Sequence, residues 1–173
     1  MKAKKSLGQN FLKSGIALRK IIEAGEIKPY DVVLEIGPGK GALTEKILEK
    51  IHPSLAPLLS LGPNPKLNPK VEGREKFVKQ GLVIAVEKDR ALFEFLKIKF
   101  QKEILEKKLI LINEDILKYK IPQRQDLWGY KIIANIPYNI TGAILKKFLT
   151  AKNQPTTMVL MVQHEVAKRI IAN

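Results

Sequence analysis

The sequence predicts an α/β fold, a mostly parallel, doubly wound sheet with helices on both faces. Three observations carry this. Val32 to Ile36 is a short, β-branched run of the kind found in strands buried on both faces of a parallel sheet. It stops at Gly37, Gly39 and Gly41, after which Ala42, Leu43, Ile47 and Leu48 recur at helical spacing. Further apolar runs then alternate with helix-period segments, the pattern of parallel β-α units.

Taken in order, residues 1–13 form a basic arm that contains an apolar pair, Phe11 and Leu12. Ser14 is placed to cap a helix running to about Ala24, with Ile16, Leu18, Ile21 and Ile22 on its apolar side and Gly25 as its stop. Lys28-Pro29-Tyr30-Asp31 turns the chain into the first strand. The second strand, Leu82 to Val86, ends at Glu87-Lys88-Asp89, and a helix carrying Leu92, Phe93, Leu96 and Phe100 follows. The third, Leu109 to Ile112, ends in Asn113-Glu114-Asp115. The fourth, Lys131 to Ala134, ends in Asn135-Ile136-Pro137-Tyr138. A helix from about Thr141 to Leu149 carries Ile144, Leu145 and Phe148. Thr157 to Val162 is a fifth strand, and Glu165 to Ala172 begins another helix. Ligands of such sheets sit beyond the carboxyl ends of the strands. Gly37, Glu87, Asp115 and Asn135 all fall there.

Ile51 to Gln80 breaks this rhythm. It holds Pro53, Pro57, Pro63, Pro65 and Pro69, half of the ten prolines. Proline at that density is incompatible with helix or central strand, so residues 51–80 read as a long surface insertion loop. Its Lys66, Lys70, Arg74, Lys76 and Lys79 read either as an addition to RNA contact or, as charge runs usually do, as a solvated face.

Composition narrows the function. At 173 residues the chain is one domain's worth, enough to bury a core. No apolar run approaches the length of a membrane span, and the basic start is not followed by an apolar signal region, so no membrane partner is expected. Without cysteine there is no disulfide or thiolate chemistry, and His52 and His164 show no metal-ligand spacing. A cytoplasmic location and no metal are expected. Thirty-one Lys plus Arg against seventeen Asp plus Glu give a net charge of +14, the electrostatic footprint of a nucleic-acid-binding domain.

The glycine turn is a ligand-binding geometry, because glycines let the backbone approach a bound molecule and the helix start offers unpaired N–H groups. Gly37-x-Gly39-x-x-Ala42 fits a dinucleotide fingerprint loosely, but Ala42-Leu43-Thr44 does not supply the Gly-Lys-Ser/Thr of a phosphate loop. Glu35 would repel a pyrophosphate. It suits a ligand with positive charge, such as the ammonium and sulfonium of S-adenosylmethionine. Glu87 can accept both ribose hydroxyls of an adenosine, as in either cofactor class. Asp115 can accept from an adenine amine, or simply cap a turn. In Asn135-Ile136-Pro137-Tyr138, Asn135 offers a side-chain carbonyl to a ring-bound amine, and Pro137 has no N–H of its own, so backbone carbonyls there can face the target. Tyr138 offers a ring on which a flipped-out base can stack.

The same residues carry a resemblance. Gln9-Asn10-Phe11-Leu12, the run from Glu35 to Thr44, Val86-Glu87, Glu114-Asp115-Ile116-Leu117, the run from Asn135 to Ile140, and the run from Val162 to Arg169 occur in order. Together they resemble the ribosomal RNA adenine N6-dimethyltransferase family over nearly the whole chain outside residues 51–80. Gln163-His164-Glu165-Val166 and Asn139-Ile140 look more like its small-subunit branch. Asn135-Ile136-Pro137 and Gly39-Lys40-Gly41 are shared with the erythromycin-resistance branch, which acts on large-subunit RNA.

The resemblance implies a Rossmann-like class I S-adenosylmethionine-dependent methyltransferase, with residues 1–173 as its catalytic domain. The cofactor would be bound by Asn10 and Leu12 from the arm, Glu35, Gly37 and Gly39 at the turn, Glu87 on the ribose, Asp115 on the adenine and Asn135 near the methyl. Asn135, Pro137 and Tyr138 would serve the target adenine. The expected partner is ribosomal RNA of the small subunit, and the expected state is a monomer. Family members continue with two more strands, a small helical domain and a further aromatic motif over the target base, none of which follows Asn173. Cofactor binding is therefore expected to survive better than catalysis. Other readings are a non-catalytic RNA-binding or ribosome-assembly factor and, more weakly, a nicotinamide-dependent oxidoreductase.

Overall fold

A computed structural model describes residues 15–53, 81–121, 129–136 and 138–172, with the side chains of Tyr138 and Ile171 left out. Helix α1 (Gly15–Ala24) precedes strand β1 (Val32–Ile36) and helix α2 (Ala42–Ile51). Strand β2 (Leu82–Glu87) leads into α3 (Arg90–Lys99), the short α4 (Gln101–Leu105) and β3 (Leu109–Asn113). Strand β4 (Lys131–Asn135), a 3-10 turn (Tyr138–Ile140), α5 (Thr141–Leu149), β5 (Thr157–Met161) and α6 (His164–Ile171) complete the order. The five strands lie in the order β3-β2-β1-β4-β5, and every neighbouring pair is parallel. All five carboxyl ends therefore share one rim.

Burial explains the continuous apolar runs. In β1, Val32, Leu34 and Ile36 join Ile132, Ala134, Ile144 and Phe148 in a core under α5. Val33 faces the other way, into a core with Ile21 and Ile22 of α1, Leu43 and Ile47 of α2, and Leu96 of α3. Both faces of the central strands are thus covered by helices, the arrangement an all-parallel sheet requires. Each fully buried Leu or Ile contributes about 1.5–3 kcal/mol relative to exposure.

Local sequence sets the element ends. The Asp89 carboxylate accepts the N–H groups of Ala91 (2.8 Å) and Leu92 (3.1 Å), capping α3. The helix expected to run through Phe100 instead breaks there and restarts as α4, while Phe100 stays buried. Ile51, expected to open the proline-rich loop, is the last residue of α2 and is buried in the core, so the segment leaves the helix one residue later. Residues 54–80, Ser14 and the basic arm lie outside the described residues.

Candidate active site

The rim is built by the turn after β1. Gly37, Gly39 and Gly41 all adopt positive φ, at 66°, 61° and 80°. Two of them need glycine for different reasons. A Cβ on Gly37 would meet nothing within 4 Å, so its backbone faces open space at the strand ends. A Cβ on Gly41 would lie 2.5 Å from the Phe100 ring and 2.9 Å from Leu96, so this glycine lets α3 pack beneath the turn. Gly41 also begins α2 without a side-chain cap, leaving first-turn N–H groups free for a ligand. Lys99 steadies the turn by donating to the Lys40 carbonyl at 2.9 Å.

Glu87 closes the gap between β2 and the turn. Its Oε2 accepts the Gly39 N–H at 3.1 Å and its Oε1 accepts the Asp89 N–H at 2.8 Å. Burial raises its pKa above the usual carboxylate value, and the two N–H groups pull it back. The Gly37 N–H donates to the Val86 carbonyl at 3.0 Å, fixing the two strand ends side by side.

Asp115 sits beyond β3, one strand further out. Its Oδ1 accepts the Leu117 N–H at 3.0 Å, and its Oδ2 pairs with Lys88 Nζ at 2.7 Å. The Lys88 ammonium holds this carboxyl below its usual range, helped by the Leu117 N–H. Asn113 Nδ2 donates to the Glu87 carbonyl at 2.9 Å, and Glu114 N–H donates to the same oxygen at 3.1 Å. The ends of β2 and β3 are thereby locked together. Asn135 ends β4, paired in register with Met161 of β5 and directly after Ala134, the partner of Ile36.

Glu35 lies off the rim. It is 1% exposed, and neither of its carboxyl oxygens has a hydrogen-bond partner. Burial pushes its pKa up to about 8; the Thr44 hydroxyl beside it pulls the other way, short of hydrogen-bond geometry, and Glu87 adds repulsion. A buried orphan carboxyl costs free energy unless something compensates it. Holding a proton is the compensation that burial favours here.

The structure thus bonds Gly39 to Glu87 and Gly37 to the neighbouring Val86 carbonyl, with Asp115 and Asn135 on the same rim and Glu35 off it. Asn10, Leu12 and Pro137 lie outside the described residues, as does the Tyr138 side chain. Sequence reasoning gave no role to Lys88, Lys99 or Asn113. Lys88 and Asn113 stand at strand ends beside residues that were singled out, which is a usable signal. Lys99, on the polar side of a helix, offers none.

Five parallel strands in this order, with helices on both faces and a glycine turn after β1, make the fold of class I S-adenosylmethionine-dependent methyltransferases. A family model described as ribosomal RNA adenine dimethylase matches residues 1–56 and 75–173, and the chain belongs to that family. The unmatched stretch falls within the proline-rich segment. The chain is 42% identical over 175 residues to the ribosomal RNA small subunit methyltransferase A of Dehalococcoides mccartyi strain CBDB1, covering 99% of this chain and 48% of that protein. It is 37% identical over 170 residues to its namesake from Prosthecochloris aestuarii, covering 98% of this chain and 52% of that one. The chain therefore spans about half the length of the curated relatives it matches. Among solved structures, the 23S rRNA methyltransferase ErmE superposes with a TM-score of 0.64 at 26% identity, over 92% of this chain and 50% of that one. A dimethyladenosine transferase from Plasmodium falciparum does so with a TM-score of 0.63 at 27% identity, over 93% and 46%.

Proposed function

We propose that this chain is the cofactor-binding and base-accepting core of a small-subunit ribosomal RNA adenine N6-dimethyltransferase. The observation that carries the reading is the bonded cluster of Glu87 with the Gly39 N–H, set beside the open Gly37 backbone on a rim that also carries Asp115 and Asn135. Such a rim fits an adenosyl group: Glu87 keeps lone pairs for ribose hydroxyls, and Asp115 has an oxygen for an adenine amine once Lys88 moves aside. When bound, S-adenosylmethionine supplies an electrophilic methyl on its sulfonium.

The chain's own residues orient the acceptor. An adenine N6 is a poor nucleophile because its lone pair is delocalised into the ring. The Asn135 carbonyl and backbone carbonyls around Pro137 would accept its hydrogens, turning the lone pair toward the methyl. Tyr138 would stack the extruded base, as enzymes acting on a flipped nucleotide do. The methylated nitrogen loses its proton readily, so no tuned general base is needed. The small-subunit substrate is supported by the relatives' names and by Gln163-His164-Glu165-Val166. A net charge of +14 suits ribosomal RNA. Among the described residues no helix is long and apolar enough to cross a membrane. A chain acting on ribosomal RNA in this way would work in the cytoplasm, as a monomer.

Calorimetry with S-adenosylmethionine, followed by radiolabelled methyl transfer to small ribosomal subunits lacking N6-dimethyladenosine, tests this. Binding by the 173-residue chain is expected, with transfer rising when the downstream half found in the relatives is supplied. Asn135→Ala should abolish transfer and leave binding within a few-fold. Absence of cofactor binding would overturn the reading and favour a pure RNA-binding or assembly role.

A further inference from the structure

The turn that carries Asp115 is tied to the rest of the molecule by a residue with no place in the cofactor or base site. Within the turn, the Asp115 carbonyl accepts the N–H groups of Lys118 (2.8 Å) and Tyr119 (2.9 Å), while its Oδ1 takes that of Leu117. The carbonyls of Leu117 and Tyr119 are left over. Both are taken by one ammonium: Lys147 Nζ on α5 donates to Leu117 O at 2.9 Å and to Tyr119 O at 2.5 Å. The side chains of Ile116 and Tyr119 are buried in the core that holds Ile144 and Phe148, the neighbours of Lys147 on α5. The turn is therefore clamped on α5 by apolar contact on one side and by a charge-assisted pair of hydrogen bonds on the other. Helix α5 begins at Thr141, straight after the 3-10 turn (Tyr138–Ile140) that carries the end of the Asn135-to-Tyr138 motif, so the clamp joins the helix that follows the base motif to the turn bearing Asp115.

We propose that Lys147 is a positioning residue for adenine recognition, holding the 115–119 turn so that Asp115 presents its carboxylate to the cofactor's exocyclic amine. This rests on the cofactor reading above. Three features argue for the role. Lys147 is the only cation among the described residues that donates to carbonyls of this turn. Burial lowers its pKa, while Glu114 and Asp115 pull the other way, which sets the ammonium close to both acids at the start of the turn. Lys88, the direct partner of Asp115, has a side chain 70% exposed and pairs with the carboxylate without constraining the backbone that carries it.

The test uses the 173-residue chain and two probes, S-adenosylhomocysteine and its inosine counterpart, in which a carbonyl oxygen replaces the amine. A carboxylate that reads the amine discriminates against that oxygen, and the wild-type chain should prefer the adenine compound by about tenfold or more. Lys147→Met is expected to lower affinity for the adenine compound by about tenfold and leave the inosine compound within twofold, erasing the preference. Lys147→Arg, which keeps the charge and several donors, should restore most of it. Lys147→Gln makes the same measurement should the methionine variant fail to fold. A purely structural lysine would lower both affinities alike or only the melting temperature, and that result would overturn the proposal. A wild-type chain that binds both probes equally would remove the role given to Asp115, and this proposal with it. A wild-type preference that survives in Lys147→Met and Lys147→Gln would remove this proposal alone.

Discussion

Glu87 Oε2 accepts the backbone N–H of Gly39 at 3.1 Å, across 48 positions of sequence. The acid that ends one strand thereby holds the turn that ends its neighbour. The same carboxylate also accepts from Asp89, so its geometry is set before any ligand arrives.

Glu87→Gln keeps the shape but turns one acceptor into an NH2 group that faces an N–H. Hydrogen bonds to charged groups contribute about 1.5–3 kcal/mol, so cofactor affinity should fall by tenfold or more. Calorimetry gives the answer, and wild-type affinity in the variant would show that Glu87 only organises the turn.

Two glycines of that turn should fail differently. Gly37→Ala is strained by its positive φ, a cost of about 1–2 kcal/mol, and places a methyl in open space at the rim. Gly41→Ala carries the same strain and also drives a methyl into Phe100 and Leu96, for about 2–5 kcal/mol in all. Thermal unfolding should therefore single out Gly41→Ala, whereas cofactor binding should be lost most sharply in Gly37→Ala at modest cost in stability. Equal melting temperatures for the two would contradict the packing.

Glu35 predicts a pH dependence. Its carboxyl keeps a proton up to about pH 8 in the folded chain, against an ordinary value of 4.5. Between those limits the folded state binds more protons than the unfolded one, so this group's contribution to stability falls as pH rises from 4.5 to 8. The loss is on the order of a few kcal/mol. Glu35→Gln should flatten that slope and raise stability near pH 8, read by urea unfolding at several pH values. A variant with the wild-type slope would show that Glu35 does not titrate in this window.

Lys131 is the deepest ion-paired lysine among the described residues. Its Nζ pairs with Asp31 at 2.9 Å with both side chains about one-eighth exposed, and donates to the carbonyls of Gly25 at 3.0 Å and Glu26 at 2.7 Å. Lys131→Met leaves the mostly covered Asp31 carboxylate with the Lys28 N–H alone and unpairs two carbonyls, costing about 3 kcal/mol. Lys46→Met, which breaks an exposed pair with Glu49, should cost under about 1 kcal/mol. Similar midpoints in denaturant would argue against this contrast.

The sequence by itself determined the run of elements. Val32 to Ile36 and Thr141 to Leu149 stand within the limits their composition predicts, because a β-branched run between turn residues and an apolar stripe at helical spacing are local signals. It also determined which residues reach the rim, since parallel strands put all their carboxyl ends on one side. Tertiary structure alone decided the rest. That Glu35 lies beneath the turn without a partner, that Lys88 occupies Asp115, and that Lys147 grips a turn 30 positions away depend on which faces meet. Hydrogen bonds and ion pairs form between groups brought together by packing. A lysine on a helix reads as solvated until the carbonyls that will accept it are known.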